Sequence, residues 1–594
     1  MLIRKLFRTA WCYKAQFLSM VVMVAIGMGV FLGFNIEWKS VEMDTGAFFE
    51  ETNYADFRLY KETGFSRKDV EKIGRISQVE AATRFLCVNV DVEEIEKSAA
   101  LMVSEDYTVS TMRVTKGMEY DPEGEGIWLS DQFAEKNGIS IGDELTFRYK
   151  GMQVSGQVAG LCKAGEMMIC TADENQLMPD FNSFGFAYIT PKKLKSVLGI
   201  AFYPQINLLS SLEKEEMEEA VRKALGQTIM VVPKEDHTSY AGALSETQEG
   251  KAMGSLLPVL FLAIGILTMV TTMHRIAANE KTQIGALKAL GFRDRRILLH
   301  YTSYGLVIGV IGTSLGAILG YGLAAIIISP WGMMSTYFDM PDWSLYMPSF
   351  CLPVMLLTVA LLSLICFLSV RRMQKGTAAD ALRPYTPKAM KESLFEKMPL
   401  WEKLSFGTKW NFRDILRHKV RSLMTLIGVV GCMLLLVGGL GMKDTMDGFL
   451  DVIDHSVSNY KTKLNLSERA KNKEGKALAE ELQGDWGSVS GISYEGATVT
   501  LEIYDAAHGK IRFINEDNEI VPLTDEGVYL CLRLRDTAAP GEEIQFSPYG
   551  SEEVYKVKVA GYLRSVMTEN MVMTAGYADK MGIPYRITNI YTDK

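Results

Sequence analysis

Leu256–Met273 reads LLPVLFLAIGILTMVTTM, and Arg275–Ile297, reading RIAANEKTQIGALKALGFRDRRI, follows almost at once. The first stretch is an apolar run without a single Asp, Glu, Lys or Arg, and Tyr301–Ile328 and Phe350–Val370 are two more. Each reaches the length of about 20 residues that a helix needs to span a bilayer. The stretch between the first two carries Arg275, Lys281, Lys288, Arg293, Arg295 and Arg296 against only Glu280 and Asp294. Loops so rich in Lys and Arg stay on the cytoplasmic side. Ile276, Ile284, Leu287 and Leu290 recur at roughly helical spacing, and Gly291 stands where a helix would need a left-handed C-cap. The loop is therefore expected to hold a short amphipathic helix against the inner membrane face, a handle for a cytoplasmic partner.

Outward from this centre, the 594 residues are 48% hydrophobic, but that fraction is concentrated in five blocks. The net charge of −8 conceals basic residues crowded near the helix ends expected inside. No basic tract interleaved with aromatics suggests nucleic acid. Arg4, Lys5, Arg8 and Lys14 precede an apolar Phe17–Phe34, too long for a signal-peptide core and without a small-residue cleavage site before Glu37. This reads as a retained first helix with its N-terminus inside. Glu37–Gly250 then lies outside, mixing alternation (Phe85–Val92, Glu144–Tyr149, Gln153–Ala159) with helical stretches (Ser66–Ile76, Glu213–Leu225). Tyr240–Gly254 has no strong breaker before Pro258 and reads as an outward continuation of the second helix. In the third helix Gly305, Gly309, Gly312, Gly316 and Gly320 recur every third or fourth residue, along one face where small side chains let helices approach. Packing within the chain is the favoured use of that face over a dimerisation seam. Trp331–Tyr346 is a short outer loop with interfacial aromatics.

A fifth run, Leu423–Met442, leads to a second soluble segment that echoes the first. Gly126–Ser130 (GIWLS) matches Gly527–Cys531 (GVYLC), Ile141–Phe147 (IGDELTF) matches Pro540–Phe546 (PGEEIQF), and Val158–Leu161 (VAGL) matches Val559–Tyr562 (VAGY). Lys14–Leu18 likewise matches Lys419–Leu423. The expected fold class is an α-helical integral membrane protein with two α+β extracytoplasmic domains, a tandem duplication of a helix–ectodomain–three-helix unit whose second copy is incomplete. The expected divisions are a tail and first helix over 1–36, a first ectodomain over 37–250, helices two to four over 251–372 with the coupling loop 275–297, a cytoplasmic linker over 373–420, helix five over 421–442, and a second ectodomain over 443–594.

Nothing in the chain supports catalysis. Gly250-Lys251, Gly475-Lys476 and Gly509-Lys510 all lack the Ser or Thr and the upstream glycine of a phosphate-binding loop. The six histidines never pair at metal spacing. The eight cysteines form no CxxC, and the sequence favours free thiols over a Cys162–Cys170 disulfide. The apolar runs also lack the intramembrane carboxylates of an ion-coupled transporter, so energy for any work is expected from a separate ATPase.

Three stretches carry a family resemblance. Glu280–Ile297 (EKTQIGALKALGFRDRRI) resembles the cytoplasmic motif after the second helix of FtsX/MacB-like ABC transporter permeases, Arg371–Pro384 (RRMQKGTAADALRP) resembles their stretch after the fourth helix, and Trp410–Leu426 (WNFRDILRHKVRSLMTL) is similar to their entry into the first, with Lys5–Ile36 a looser copy. The resemblance implies a permease subunit in a bacterial cytoplasmic membrane, binding no cofactor itself and pairing with a separately encoded ABC ATPase that binds ATP. Glu280, Lys281, Ile284, Gly285, Leu287, Lys288, Leu290, Gly291 and Arg293 are then expected to couple to that ATPase. Membrane lipid, a second copy or a second permease subunit are the other expected partners. The family form with two ectodomains has eight helices, and five are legible here. Two other readings stand beside export or mechanotransmission: a non-transporting regulator of a cell-wall hydrolase or sensor kinase, and an ATP-independent membrane receptor.

Overall fold

The computed structural model describes residues 2–373, 401 and 404–594, apart from short stretches at 62, 150–151, 173–175, 177, 199–201, 228, 330, 418, 453–456, 467–469, 496, 506, 549–552 and 566–568. Most of the expected cytoplasmic linker 373–420, and with it most of the Arg371–Pro384 motif, lies outside the described residues. The chain divides into two units, one of residues 1–46, 243–335 and 342–441, the other of 47–242, 336–341 and 442–594.

The first unit is built from helices α1 (Leu2–Cys12), α2 (Lys14–Glu51), α3 (Thr238–Asn279), α4 (Lys281–Ala289), α5 (Asp294–Ile328), α6 (Cys351–Met373) and α7 (Lys419–Asp451). Among the described residues, five helical stretches are long and apolar enough to cross a membrane: Lys14–Glu51, Thr238–Ala277, Asp294–Tyr337, Cys351–Arg371 and Val429–Asp451. Two helices outrun their apolar runs. α2 continues beyond Phe34 through Glu37, Lys39, Glu42 and Asp44, because hydropathy marks where lipid ends and not where a helix ends. α3 starts at Thr238, ahead of the expected membrane segment at 251, and passes through Pro258 without a break.

The glycines of α5 face two neighbours. A Cβ on Gly312, Gly316 or Gly320 would meet Val24 Cβ at 2.8 Å, Met28 Cβ at 2.6 Å and Leu32 Cβ at 2.6 Å. Those three α2 side chains are each one turn apart and buried, so an i, i+4 row of one helix fits the i, i+4 row of glycines on the other. Gly305 and Gly309 face α6, where a Cβ would meet the Leu362 carbonyl oxygen at 2.6 Å and Val359 Cα at 3.2 Å. The C-terminal half of α2 is tied by polar contacts. The Asn35 amide donates to the Gly254 carbonyl at 3.0 Å, and Asp44 and the Ser40 hydroxyl accept from the backbone N–H groups of Ser344 and Tyr346 at 2.7 and 2.9 Å.

In the second unit, a ten-stranded mixed sheet contains β1 (Phe57–Tyr60), β2 (Val79–Val92), β3 (Lys97–Ser104), β4 (Met112–Gly117), β5 (Ile127–Ser130), β6 (Glu144–Tyr149), β7 (Met152–Ala164), β8 (Phe184–Ile189), β9 (Gln205–Ser210) and β10 (Met230–Pro233). Their order is β10-β1-β9-β2-β3-β8-β5-β7-β4, with β6 on β2 and β7. β8 is buried at all six positions, so it reads as an apolar run without alternation, as a strand covered on both faces must. Helices Arg67–Ile73 and Lys214–Leu225 belong to a separate small core with Phe57, Leu59, Ile206 and Leu208.

Residues 462–592 form an eight-stranded sheet of β11 (Thr462–Asn465), β12 (Asp485–Tyr494), β13 (Ala497–Asp505), β16 (Val528–Cys531), β17 (Glu543–Pro548), β18 (Tyr555–Leu563), β19 (Asn570–Thr574) and β20 (Asn589–Thr592), with a two-stranded β14 (Phe513–Ile514) and β15 (Ile520–Val521) apart. The matched motifs occupy matching places. β5 pairs parallel with β7 and β16 with β18, and both pairs shift register at the same step, from Ile127↔Val158 to Trp128↔Gly160 and from Val528↔Val559 to Tyr529↔Gly561. Gly142 and Gly541 have φ of +100° and +97°, and their N–H groups reach the Val158 and Val559 carbonyls at 2.8 Å. A turn at such φ favours glycine, which has no Cβ to clash.

Candidate coupling surface on the loop between the second and third long helices

α4 is a nine-residue helix that ends as the sequence implies: Gly291 adopts φ +83°. What holds the helix in place is Glu280, at its N-cap position. That side chain does not cap the helix. It is buried, 3% exposed, and accepts from the Tyr301 hydroxyl at 2.5 Å and the Thr9 hydroxyl at 3.1 Å, with Lys5 Nζ at 3.3 Å. A buried carboxylate persists only when paired and hydrogen-bonded, and this one has three partners drawn from α1 and α5.

The nine expected coupling residues separate into two sets. Glu280, Ile284 and Gly285 are buried, and Ile284 joins a core with Met269, Met273, Ile297, Tyr301 and Tyr304. Leu287 is half-buried against the same core. These four face the chain's own core and are not freely open to a partner; they fix the helix. Leu290, Gly291 and Arg293 are exposed, Leu290 to 73%. Lys281 is half-exposed. Lys288, expected to meet an acidic partner, pairs within the loop with Asp294 at 3.1 Å. The outward surface is thus an apolar spot at Leu290 flanked by Thr282, Gln283 and Ala286, beside exposed Arg293, Arg295 and Arg296.

The sequence reading missed two buried polar clusters in the second unit. In one, Arg58 and Glu166 are both buried and joined by two-pronged bonds of 2.7–3.0 Å. Ser110 donates to Glu166 at 2.7 Å, and Tyr54 shares a 2.5 Å hydrogen bond with His237 Nδ1. Burial opposes the charge on Glu166, but Arg58 and the Ser110 hydrogen bond outweigh it and hold its pKa below the ordinary carboxylate range. Burial, reinforced by Arg58, pushes the His237 pKa well down, so the imidazole is neutral.

In the other cluster, Asp339, which lies between α5 and α6, enters a buried site. Its Oδ1 binds Lys163 Nζ and accepts from Gln132 Nε2 at 2.7 Å, and its N–H donates to the Met168 carbonyl at 2.7 Å. Lys163 also lies 2.9 Å from Asp131. Two carboxylates thus share one ammonium. Burial outweighs the pull of Lys163 and lifts the Asp339 pKa to about 6. Burial also works against the charge on Lys163, but the two carboxylates exceed it and raise its pKa. Cys162 and Cys170, buried nearby in sequence, are free thiols.

Comparison with known proteins bears on the helical segment. Residues 255–377 match the family FtsX-like permease C-terminal. Two solved structures are similar to parts of the chain: the extracellular domain of the noncanonic ABC-type transporter YknZ from Gram-positive bacteria, at 14% identity over 30% of this chain and 99% of that one, and the periplasmic region of MacB from Actinobacillus actinomycetemcomitans, at 10% identity over 34% and 95%. Both have a TM-score of 0.22, so the assignment rests on the helical segment alone. Through that segment, which holds α4 and the two long helices after it, the chain carries an FtsX-like permease domain.

Proposed function

We propose that this chain is the membrane subunit of an FtsX/MacB-like ABC transporter in a bacterial cytoplasmic membrane, with its N-terminus and the α4 loop inside. It binds no nucleotide. A separate ATPase binds ATP, docks on the outward surface of α4, and its closure moves the extracytoplasmic domains, for export or mechanotransmission. The observation that carries this is α4 itself: a short helix inside an FtsX-like permease domain, anchored from behind by Glu280 and Ile284, with an apolar side chain and a basic flank left outward. The recurrence of the parallel strand pair and its register step in the two sheets supports a duplicated helix–ectodomain unit. The chain is not itself an enzyme on this reading.

Interface energy concentrates in a few side chains that a partner buries. Leu290 is the one large apolar group that α4 and its cap expose, so Leu290→Glu should weaken docking by about 2 kcal/mol or more, roughly 30-fold. Co-expression with a separately encoded ABC ATPase, followed by pull-down and stimulated ATP hydrolysis, is the test. Arg295→Gln with Arg296→Gln should leave pull-down largely intact, since exposed ion pairs contribute about 0–1 kcal/mol each. Undiminished pull-down by Leu290→Glu would overturn the coupling assignment.

A further inference from the structure

α1 has two faces that ask for different surroundings. Lys5 and Thr9, one turn apart, point inward, where both reach Glu280; Thr9 is buried, and Leu6 packs on the core that holds Ile284 and Tyr304. Phe7 and Trp11, also one turn apart, point away and are 70% and 75% exposed. Arg4 and Arg8 form an exposed strip beside them, and Lys14 Nζ stands 5.7 Å over the Trp11 ring. The helix LIRKLFRTAWC contains no acidic residue.

Its position follows from its partners. The helix breaks at Tyr13, before α2 begins its apolar crossing. It does not extend α2 away from the membrane, because Lys5 and Thr9 are held at Glu280 and Tyr301, where α3 ends and α5 begins. α1 therefore lies level with the ends of the crossing helices. A helix at that depth with two large aromatics on one strip and arginines on the next fits the boundary between acyl chains and anionic headgroups. Tryptophan and basic side chains are the usual anchors there. A soluble partner protein would have to bury Phe7 and Trp11 at a level already occupied by lipid.

We propose that α1 is an interfacial helix that binds anionic lipid, with Phe7 and Trp11 in the acyl boundary and Arg4 and Arg8 on the headgroups. The claim does not depend on ATPase docking, and it holds for whichever leaflet α1 faces.

The test uses the full chain with exposed Cys12 and Cys432 changed to Ser, reconstituted in phosphatidylcholine vesicles with or without 30% phosphatidylglycerol. A spin label is placed at position 7 or 8 through Phe7→Cys or Arg8→Cys. Both sites are exposed, so neither change disturbs the core. Collision with oxygen, which concentrates in lipid, is compared with collision with a nickel chelate, which stays in water. The expected result is a label at 7 that is oxygen-accessible and shielded from nickel, with one at 8 nearer the water. The anionic lipid should deepen position 7, and Arg4→Gln with Arg8→Gln should remove that dependence. A label at 7 as nickel-accessible as one at 8 would overturn the proposal. So would protection from both reagents, which marks a protein partner, or a depth indifferent to both the lipid charge and the arginine changes.

Discussion

Lys163→Met tests the Asp339 joint most sharply. The substitution keeps most of the side-chain volume and removes the only cation among the described residues that contacts both Asp131 and Asp339. Breaking a buried ion pair by deleting one partner costs about 3–5 kcal/mol, because the other charge is left without compensation. Here two carboxylates are left, but the Asp131 side chain is 21% exposed and regains some water, which favours the lower end, about 3 kcal/mol. That corresponds to roughly a hundredfold rise in the population in which the loop has come away. Cys162, adjacent to Lys163, and Cys170, two residues beyond the Met168 carbonyl that receives the Asp339 N–H, report it, since both thiols are buried when the loop is docked. The assay is the rate of reaction with 4,4′-dithiodipyridine in the full chain, with the modified peptides assigned by mass spectrometry. Lys163→Met should speed both sites about a hundredfold, in keeping with that 3 kcal/mol. Asp339→Asn keeps acceptors for Lys163 and Gln132 while removing one of two competing charges, so it should change the rates by less than about tenfold. Rates for Lys163→Met within threefold of the parent would refute the reasoning, because the joint would then not limit access to the thiols.

The same joint should respond to pH. Docked, Asp339 keeps its proton up to about pH 6, whereas an undocked carboxyl titrates near about 3.9. The docked state therefore binds the proton more tightly. Its stabilisation is complete below about pH 4 and is lost as pH rises through 6, by up to about 3 kcal/mol. Thiol exposure, corrected for the ionisation of a free cysteine, should be greater at pH 7.5 than at pH 5, and the reverse order would contradict the assignment. On the glycine face, Gly316→Leu drives a branched side chain into Met28 and should cost about 3 kcal/mol, lowering the thermal midpoint in detergent. Gly322→Leu, where a Cβ meets nothing within 4 Å, is the matched control and should leave the midpoint unchanged.

What the sequence made legible was what periodicity encodes. Apolar runs marked the membrane-crossing helices, because lipid demands about 20 apolar residues whatever their neighbours. Gly291 marked the end of α4, because few other residues adopt φ +83°. The glycine row on α5 was visible as a row, but not that it divides between α2 and α6, since spacing names a face and not its occupant. The coupling residues were read from a motif without an orientation. In a nine-residue helix, Ile284 and Leu290 are equally plausible anchors on spacing, and only the packed structure turns one inward and the other out. Glu280 did leave a signal: it is one of two acids in a basic loop, and a basic N-terminal tail was available to pair with it. Asp339 left none. Its lysine lies 176 residues away, and Phe338-Asp339-Met340-Pro341 looks like any loop.

Glu280 and Asp339 have a common logic that bears on how such a protein could transmit force. Each is a buried carboxylate in a loop flanking α5, one before Asp294 and one after Ile328, and each is met by a lysine from a segment distant in sequence. Buried pairs of this kind add little net stability, because desolvation offsets most of the attraction. They do make partial displacement expensive, since moving one partner by a few ångströms loses the attraction without restoring water. Each joint should therefore be made or broken, with few positions between. An apolar contact of similar size would slide. If ATP-driven movement passes along α5, its two ends should behave as latches, and loosening either by substitution should uncouple movement without unfolding the helix between them.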